Sequence, residues 1–258
     1  MGIRSIFLNM LVFIGVATSS AHAEKITIAA AADLKFAMDE IVTGFNKGHS
    51  RDEVQVVYGS SGKFHTQIQQ GAPYDLFFSA DIGYPRELAR LGLAASGVKP
   101  YAVGRIVLWS ADMDAAKMTL VSLADPKVIR IAIANPKHAP YGKRAEEALR
   151  SAGLWEKVQA KLVFGENISQ TAQYVQSGNA QVGIIALSLA VSPELAKKGG
   201  HYVIPDKLHQ PLEQGFIITR LGADKPLARQ FADYMGSKQA RSSMAKYGFV
   251  LPFEQAGK

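Results

Sequence analysis

The chain contains no cysteine. A disulfide scaffold, a thiolate metal site and a cysteine nucleophile are excluded together. Its six histidines (His22, His49, His65, His138, His201 and His209) show neither H-x-x-x-H nor H-E-x-x-H spacing, the patterns that aim two imidazoles from one helix face at a metal. No G-x-S-x-G elbow occurs, because in Tyr58-Gly59-Ser60-Ser61-Gly62 the second glycine falls one residue early. The same stretch, continued to Lys63-Phe64, lacks the glycine spacing and the hydroxyl after lysine of a Walker loop. Basic residues outnumber acidic ones by 29 to 22, yet no basic run exceeds two residues and none is interleaved with aromatics. The excess charge therefore favours anionic partners without describing a nucleic-acid surface.

What is present is ordinary globular material: 258 residues, 48% of them hydrophobic and 20% charged. That length accommodates one large domain or two lobes of roughly 100–150 residues. The first segment reads as an export signal. Met1 to Ala23 carries one charge, Arg4, then an apolar stretch from Ile6 to Val16, and ends in the small-x-small pattern Ala21-His22-Ala23. That stretch is short of the roughly 20 residues that span a bilayer. Cleavage after Ala23 removes only Arg4 from the charge count, so +7 becomes +6, and the expected product is a soluble periplasmic protein.

The body alternates strand-like and helix-like segments. Lys25–Ala31 is short and apolar, and Asp33 then reads as an N-cap before Leu34, Ala37, Met38, Ile41, Val42 and Phe45 at helical spacing. Val54–Tyr58 predicts a strand and Lys63–Gln70 a short helix stopped by Gly71 and Pro73. Tyr74–Ser79, Val103–Ser110 and Ile129–Ala134 read as buried strands, with a helix after Pro140-Tyr141-Gly142 from about Lys143. Leu162–Phe164, Val182–Leu187 and Phe216–Thr219 add strands; Ser169–Gln176, Ala228–Met235 and Lys238–Tyr247 add helices. The alternation predicts an α/β architecture with largely parallel sheets.

Four junctions in this pattern carry small polar residues: Ala32-Asp33, Gly59–Gly62, Pro140–Gly142 and Glu166–Ser169. In open α/β sheets ligands bind beyond the carboxyl ends of the strands. At each junction the chain enters a helix whose first N–H groups have no intrahelical acceptor, so several converging together would bind an anion without lysine or arginine. In the Gly-Ser-Ser-Gly segment Ser60 and Ser61 offer two hydroxyls; read alone, the segment reads first as an N-cap and tight turn. Ser61 and His65 share a possible helix face, which keeps a secreted hydrolase open as a reading, although no third orienting group accompanies them.

Read together, these segments resemble the periplasmic molybdate-binding proteins of ABC importers. The resemblance rests on Ala30-Ala31-Ala32-Asp33-Leu34, Gly59-Ser60-Ser61-Gly62, the run from Gly71-Ala72-Pro73-Tyr74-Asp75-Leu76 through Ser79-Ala80-Asp81, and Asn135-Pro136 through Pro140-Tyr141-Gly142. It continues through Glu166-Asn167-Ile168, Gly183-Ile184-Ile185-Ala186 and Lys246-Tyr247-Gly248-Phe249, in order along nearly all of the mature chain. It implies a bilobal periplasmic-binding-protein fold with two chain crossings: residues 1–23 as signal peptide, 24–103 plus 213–258 as one lobe and 104–212 as the other. It further implies a monomer without enzymatic activity or cofactor that captures molybdate or tungstate and passes it to an ABC permease. The alternative within the same fold is another oxyanion or a small phosphorylated or carboxylated solute.

Carried over position by position, the resemblance makes Ser61 a hydroxyl and N–H donor and Tyr141 and Ile168 backbone donors whose side chains are loosely constrained. Ala32 and Asp33 fall where members place a Ser or a Thr-Asn pair, Ser60 precedes the hydroxyl donor, and Ala186 falls where some members have a ligand-binding tyrosine. The ligand-binding set implied is therefore Ala32, Asp33, Ser60, Ser61, Tyr141, Ile168 and Ala186, with any metal entering only inside the oxyanion. Asp33 is the departure, because a carboxylate beside a dianion is repelled. Three roles stand open: its side chain caps the helix through the N–H groups of Leu34 to Phe36, it binds protonated as a donor, or it ligates the metal directly. The capping role is the expectation, with little pH dependence of binding.

Overall fold

The computed structural model describes residues 23–252, so the segment read as an export signal falls, but for its last residue, outside the described residues. Within them ten strands build two five-stranded sheets. The first contains β1 (Lys25–Ala31), β2 (Glu53–Gly59), β3 (Leu76–Ser79), β4 (Lys99–Gly104) and β10 (Leu212–Ile218), in the order β2-β1-β3-β10-β4. The second contains β5 (Ile106–Ser110), β6 (Ile131–Ala134), β7 (Leu162–Gly165), β8 (Val182–Ala186) and β9 (Gly200–Val203), in the order β7-β6-β8-β5-β9. The helices are α1 (Lys35–Asn46), α2 (Ser61–Gln69), α3 (Gly83–Arg90), α4 (Pro140–Ser151) and α5 (Trp155–Val158). They continue with α6 (Ile168–Gln176), α7 (Leu187–Ala190), α8 (Pro193–Ala196), α9 (Pro226–Tyr234) and α10 (Lys238–Lys246).

The two sheets repeat one design. In each, three strands pair in parallel (β2-β1-β3 and β7-β6-β8), and two further strands add antiparallel ladders. The expectation of largely parallel sheets is thus half right. In the first sheet β10 returns from the far end of the chain to run against β3, and in the second β5 enters from the crossing to run against β8.

The segment Val103–Ser110, read as one strand, is two. β4 ends at Gly104 in the first sheet and β5 starts at Ile106 in the second, so Arg105 is where the chain crosses; it returns between Val203 and Leu212. A continuous apolar stretch carries no mark of such a change of sheet. Two helices also start earlier than their periodicity suggests. Ser60 is extended (φ −84°, ψ 133°) and α2 begins at Ser61, so Gly-Ser-Ser-Gly is a strand end and a first helical turn rather than a loop. α4 begins at Pro140, whose ring suits the first helical position.

Strand alternation sets the core. From β1, Ile26, Ile28 and Ala30 join Leu34, Met38 and Ile41 of the α1 side with Phe231 and Met244 behind the first sheet. Ala29 faces the opposite way, with Phe64, Ile68, Phe77 and Leu88 under α2 and α3. A third cluster fills the second lobe around the fully buried Trp109, and it takes in Ala31, Ala32 and Ala80 from the first. These three small residues let the strand ends of one lobe sit against the other.

Gly142 fixes how α4 leaves β6, since a Cβ there would lie 2.0 Å from the Ala134 carbonyl oxygen. Both sides of that clash are backbone. Gly142→Ala is expected to destabilise the protein by about 1–3 kcal/mol, read as a lower urea midpoint at unchanged slope. An unshifted midpoint would contradict this packing.

Candidate functional site

The four junctions meet between the lobes. Ala31–Asp33 beyond β1, Gly59–Ser61 beyond β2, Ala139–Tyr141 at the start of α4 and Asn167-Ile168 at the start of α6 line one cavity of about 10 Å³, with Ala80 beyond β3. No lysine, arginine or histidine lines it. Ser61 and Ile168 are the first residues of their helices and Tyr141 the second of its own, so their N–H groups lack intrahelical acceptors. At α6 the Asn167 side chain accepts from the N–H groups of Ser169 and Gln170, both at 3.0 Å, and leaves that of Ile168 uncommitted. Ser61 Oγ accepts from the Ala80 N–H at 3.0 Å, and no acceptor among the described residues takes the hydroxyl hydrogen. The wall therefore offers fixed neutral donors at the positive ends of three helix dipoles, which is the chemistry of an anion site.

Hydrogen bonds across the cleft hold the lobes closed around this cavity. Ser169 Oγ donates to the Ala32 carbonyl (3.0 Å) and Ser188 Oγ to the Asp33 carbonyl (2.7 Å). The Gly62 N–H (3.0 Å) and Ser60 Oγ (2.5 Å) both donate to the His138 carbonyl. Ser60 thus lines the cavity while its hydroxyl serves closure. A Cβ on Gly62 would come within 2.6 Å of the His138 oxygen, so this approach requires glycine. The Lys63–Glu166 pair at 2.8 Å closes the rim in solvent. Burial, helped by the Lys63 charge, holds the His138 imidazole below its ordinary pKa, so neutral pH leaves it uncharged.

Asp33 does not cap its helix. It sits in a 3-10 turn (Ala32–Leu34) ahead of α1, and neither element carries a side-chain cap. Its carboxylate is instead 1% exposed, with Oδ2 accepting from the Tyr141 hydroxyl at 2.9 Å and from Gln214 Nε2 at 2.8 Å. Gln214 Nε2 also reaches the Tyr141 oxygen at 3.1 Å. Oδ1 has no hydrogen-bond partner. Burial pushes the Asp33 carboxyl up to about 6, against the opposing effect of the Gln214 and Tyr141 hydrogen bonds. The expectation that a preceding aspartate caps the helix fails because tertiary donors from β10 and α4 outbid the local N–H groups. It follows that the Tyr141 side chain is not loosely constrained, since its hydroxyl ties the second lobe to Asp33. Gly104 makes room for this knot: a Cβ there would lie 2.3 Å from the Tyr141 hydroxyl and 2.6 Å from Gln214 Nε2.

Of the residues singled out from sequence, Ala32, Asp33, Ser60, Ser61, Tyr141 and Ile168 line the cavity. Ala186 does not. It ends β8 and precedes α7, whose Ser188 holds the Asp33 carbonyl. Gln214 was missed: it stands between Glu213 and Gly215 in the polar first half of β10, where nothing in the sequence separates a buried glutamine from its exposed neighbour Glu213. A far larger groove, about 780 Å³, runs beside α4 and is lined by Lys137, Lys143, Arg150 and Trp155. Its walls are long charged side chains on a helix surface rather than converging first-turn donors, so size alone does not mark it as the site.

Comparison with known proteins agrees with this geometry. The family model described as bacterial extracellular solute-binding protein matches residues 26–250. The chain is 36% identical over 233 residues to the molybdate-binding protein ModA of Rhodobacter capsulatus, covering 89% of this chain and 90% of that one. It is 35% identical to ModA of Azotobacter vinelandii, covering 92% and 94%. The solved structure of the Azotobacter vinelandii periplasmic molybdate-binding protein superposes with a TM-score of 0.83 at 32% identity, over 88% of this chain and 99% of that one.

The Asp33 carboxyl holds its proton more tightly in the folded protein, at about 6, than at its ordinary value of 3.8. Its contribution to stability is complete below about pH 4 and is lost as pH rises through 6. Asp33→Asn has no such loss. Its stability relative to the parent should therefore rise by roughly 3 kcal/mol between about pH 4 and pH 8, measured by urea unfolding at both. A difference independent of pH would mean that the buried carboxyl does not titrate in this window.

Proposed function

The chain belongs to the bacterial extracellular solute-binding protein family, and we propose that it captures molybdate or tungstate between its lobes in the periplasm and delivers it to an ABC importer. The observation that carries this reading is a site between the lobes walled by first-turn N–H groups and the Ser61 hydroxyl, with no charged base among its lining residues. The names of the relatives at 35–36% identity support the choice of anion. A hydrolase is not supported: His65 Nε2 lies 3.2 Å from Glu87 Oε2, and no hydrogen bond joins it to Ser61.

Neutral donors on a rigid frame bind a dianion by position. Donors at the starts of α2 in one lobe and of α4 and α6 in the other face the same site, so an anion held there would bridge the lobes that Ser169, Ser188 and Gly62 already join. Selectivity follows from the same rigidity, because an oxyanion too small to reach all donors leaves some of them buried and unpaired.

Titration calorimetry with molybdate tests the assignment. Molybdate and tungstate should bind at least tenfold more tightly than sulfate, and a sulfate affinity within tenfold would contradict selection by size. Ser61→Ala should weaken molybdate binding by about ten- to a hundredfold, corresponding to the loss of roughly 1.5–3 kcal/mol for a hydrogen bond to a charged group. Stability without ligand should change by less. Unaltered affinity in that variant would move the anion elsewhere.

A further inference from the structure

Asp33 lines the anion cavity, is sealed from solvent, and carries one carboxylate oxygen with two neutral donors and another with none. No cation compensates it. The elements packed around it bring the titratable hydroxyls of Tyr101 (β4) and Tyr141 (α4), both raised well above their ordinary pKa by burial, and the neutral side chains of Gln214 (β10), Ser169 (α6) and Ser188 (α7). On α1 the charges are Lys35 and Asp39, paired with each other at 3.1 Å and about half exposed, and Glu40, paired with Lys246 at 2.6 Å; on β2 the Tyr58 hydroxyl bonds to Asp39. A charged carboxylate sharing this cavity with a dianion would be repelled with little solvent to screen it. That charge has almost no exposure to water and no counter-ion.

We propose that Asp33 is a proton site coupled to the anion site: when the lobes close on a doubly charged oxyanion, the carboxyl takes one proton from solvent, so that the anion and the proton are bound together. The inference rests on the oxyanion reading above and deepens it. The proton is well placed on Oδ1, since Oδ2 already accepts from Tyr141 and Gln214. Neutralised, Asp33 keeps both of those hydrogen bonds and the tie between α4 and the first lobe, while the charge that opposes the ligand is gone. Burial alone holds the carboxyl at about 6, and a bound dianion raises it further, which sets the interval over which uptake occurs.

The test is calorimetry with molybdate at about pH 6.5, 7.5 and 8.5, each in two buffers of different ionisation enthalpy, which counts protons taken up per anion. Close to one proton should enter with each anion at the upper two values, and affinity should weaken by about a hundredfold from the lowest to the highest. His138 is the other group near the cavity able to take a proton in this range, so His138→Gln should retain the uptake. Asp33→Asn should abolish it, flatten the profile and bind more tightly than the parent at about pH 8.5. Tight binding with no proton uptake in the parent, uptake abolished by His138→Gln, or a folded Asp33→Asn protein that no longer binds would each overturn the inference. Failure of molybdate and tungstate to bind at any pH would instead overturn the function on which it rests, and the inference with it.

Discussion

A helix cannot satisfy the N–H groups of its own first turn, and that shortfall organises this molecule. Ser61, Tyr141 and Ile168 each stand in such a turn, and the two lobes aim these turns into one small space. Donors of this kind are anchored by the whole helix behind them and point in fixed directions. A lysine ammonium on a flexible stem would follow an anion of any radius, whereas fixed N–H groups reward one size and shape. The absence of basic residues from the cavity wall is therefore consistent with selective anion binding.

Closure draws on the same segments. The carbonyls of Ala32, Asp33 and His138 lie beside the cavity-lining groups, and each accepts a hydrogen bond from the opposite lobe. Each such bond contributes a net 0.5–1.5 kcal/mol in rough terms, and the exposed Lys63–Glu166 pair adds little in solvent. The Asp33–Tyr141 bond and the packing of Ala31, Ala32 and Ala80 add to these contacts between the lobes. Small residues make the contacts possible, since Ala31, Ala32, Ala80 and Gly62 let backbone approach backbone across the cleft.

The buried knot of Asp33, Tyr141 and Gln214 stands at the point where the chain changes lobes, against Gly104. A polar cluster in a low-dielectric interior is strongly felt whether satisfied or not. Here it is satisfied on one oxygen and unsatisfied on the other. Burial raises the pKa of the carboxyl against the pull of its two donors, at a point that lies between the hinge and the cavity.

Much of this was legible in the residues. Apolar runs and helical spacing located most of the elements and the four small polar junctions, because local rules govern where strands end and helices begin, while the resemblance to a known family singled out Ser61, Tyr141 and Ile168 within them. The motif order along the chain pointed to the family. What sequence could not reveal depends on residues far apart in the chain. The crossing at Arg105 hides in an apolar run, because burial in one sheet or another looks the same residue by residue. Gln214, 181 positions from Asp33, has no local pattern tying it there. Asp33 itself was given the role its neighbours in sequence favour, an N-cap, and the fold overrode it with donors from β10 and α4. The sequence determined the donors and the elements that carry them. Only the tertiary structure decided which side chains meet in the dark between the lobes, because hydrogen-bond competition there is settled by distance in space.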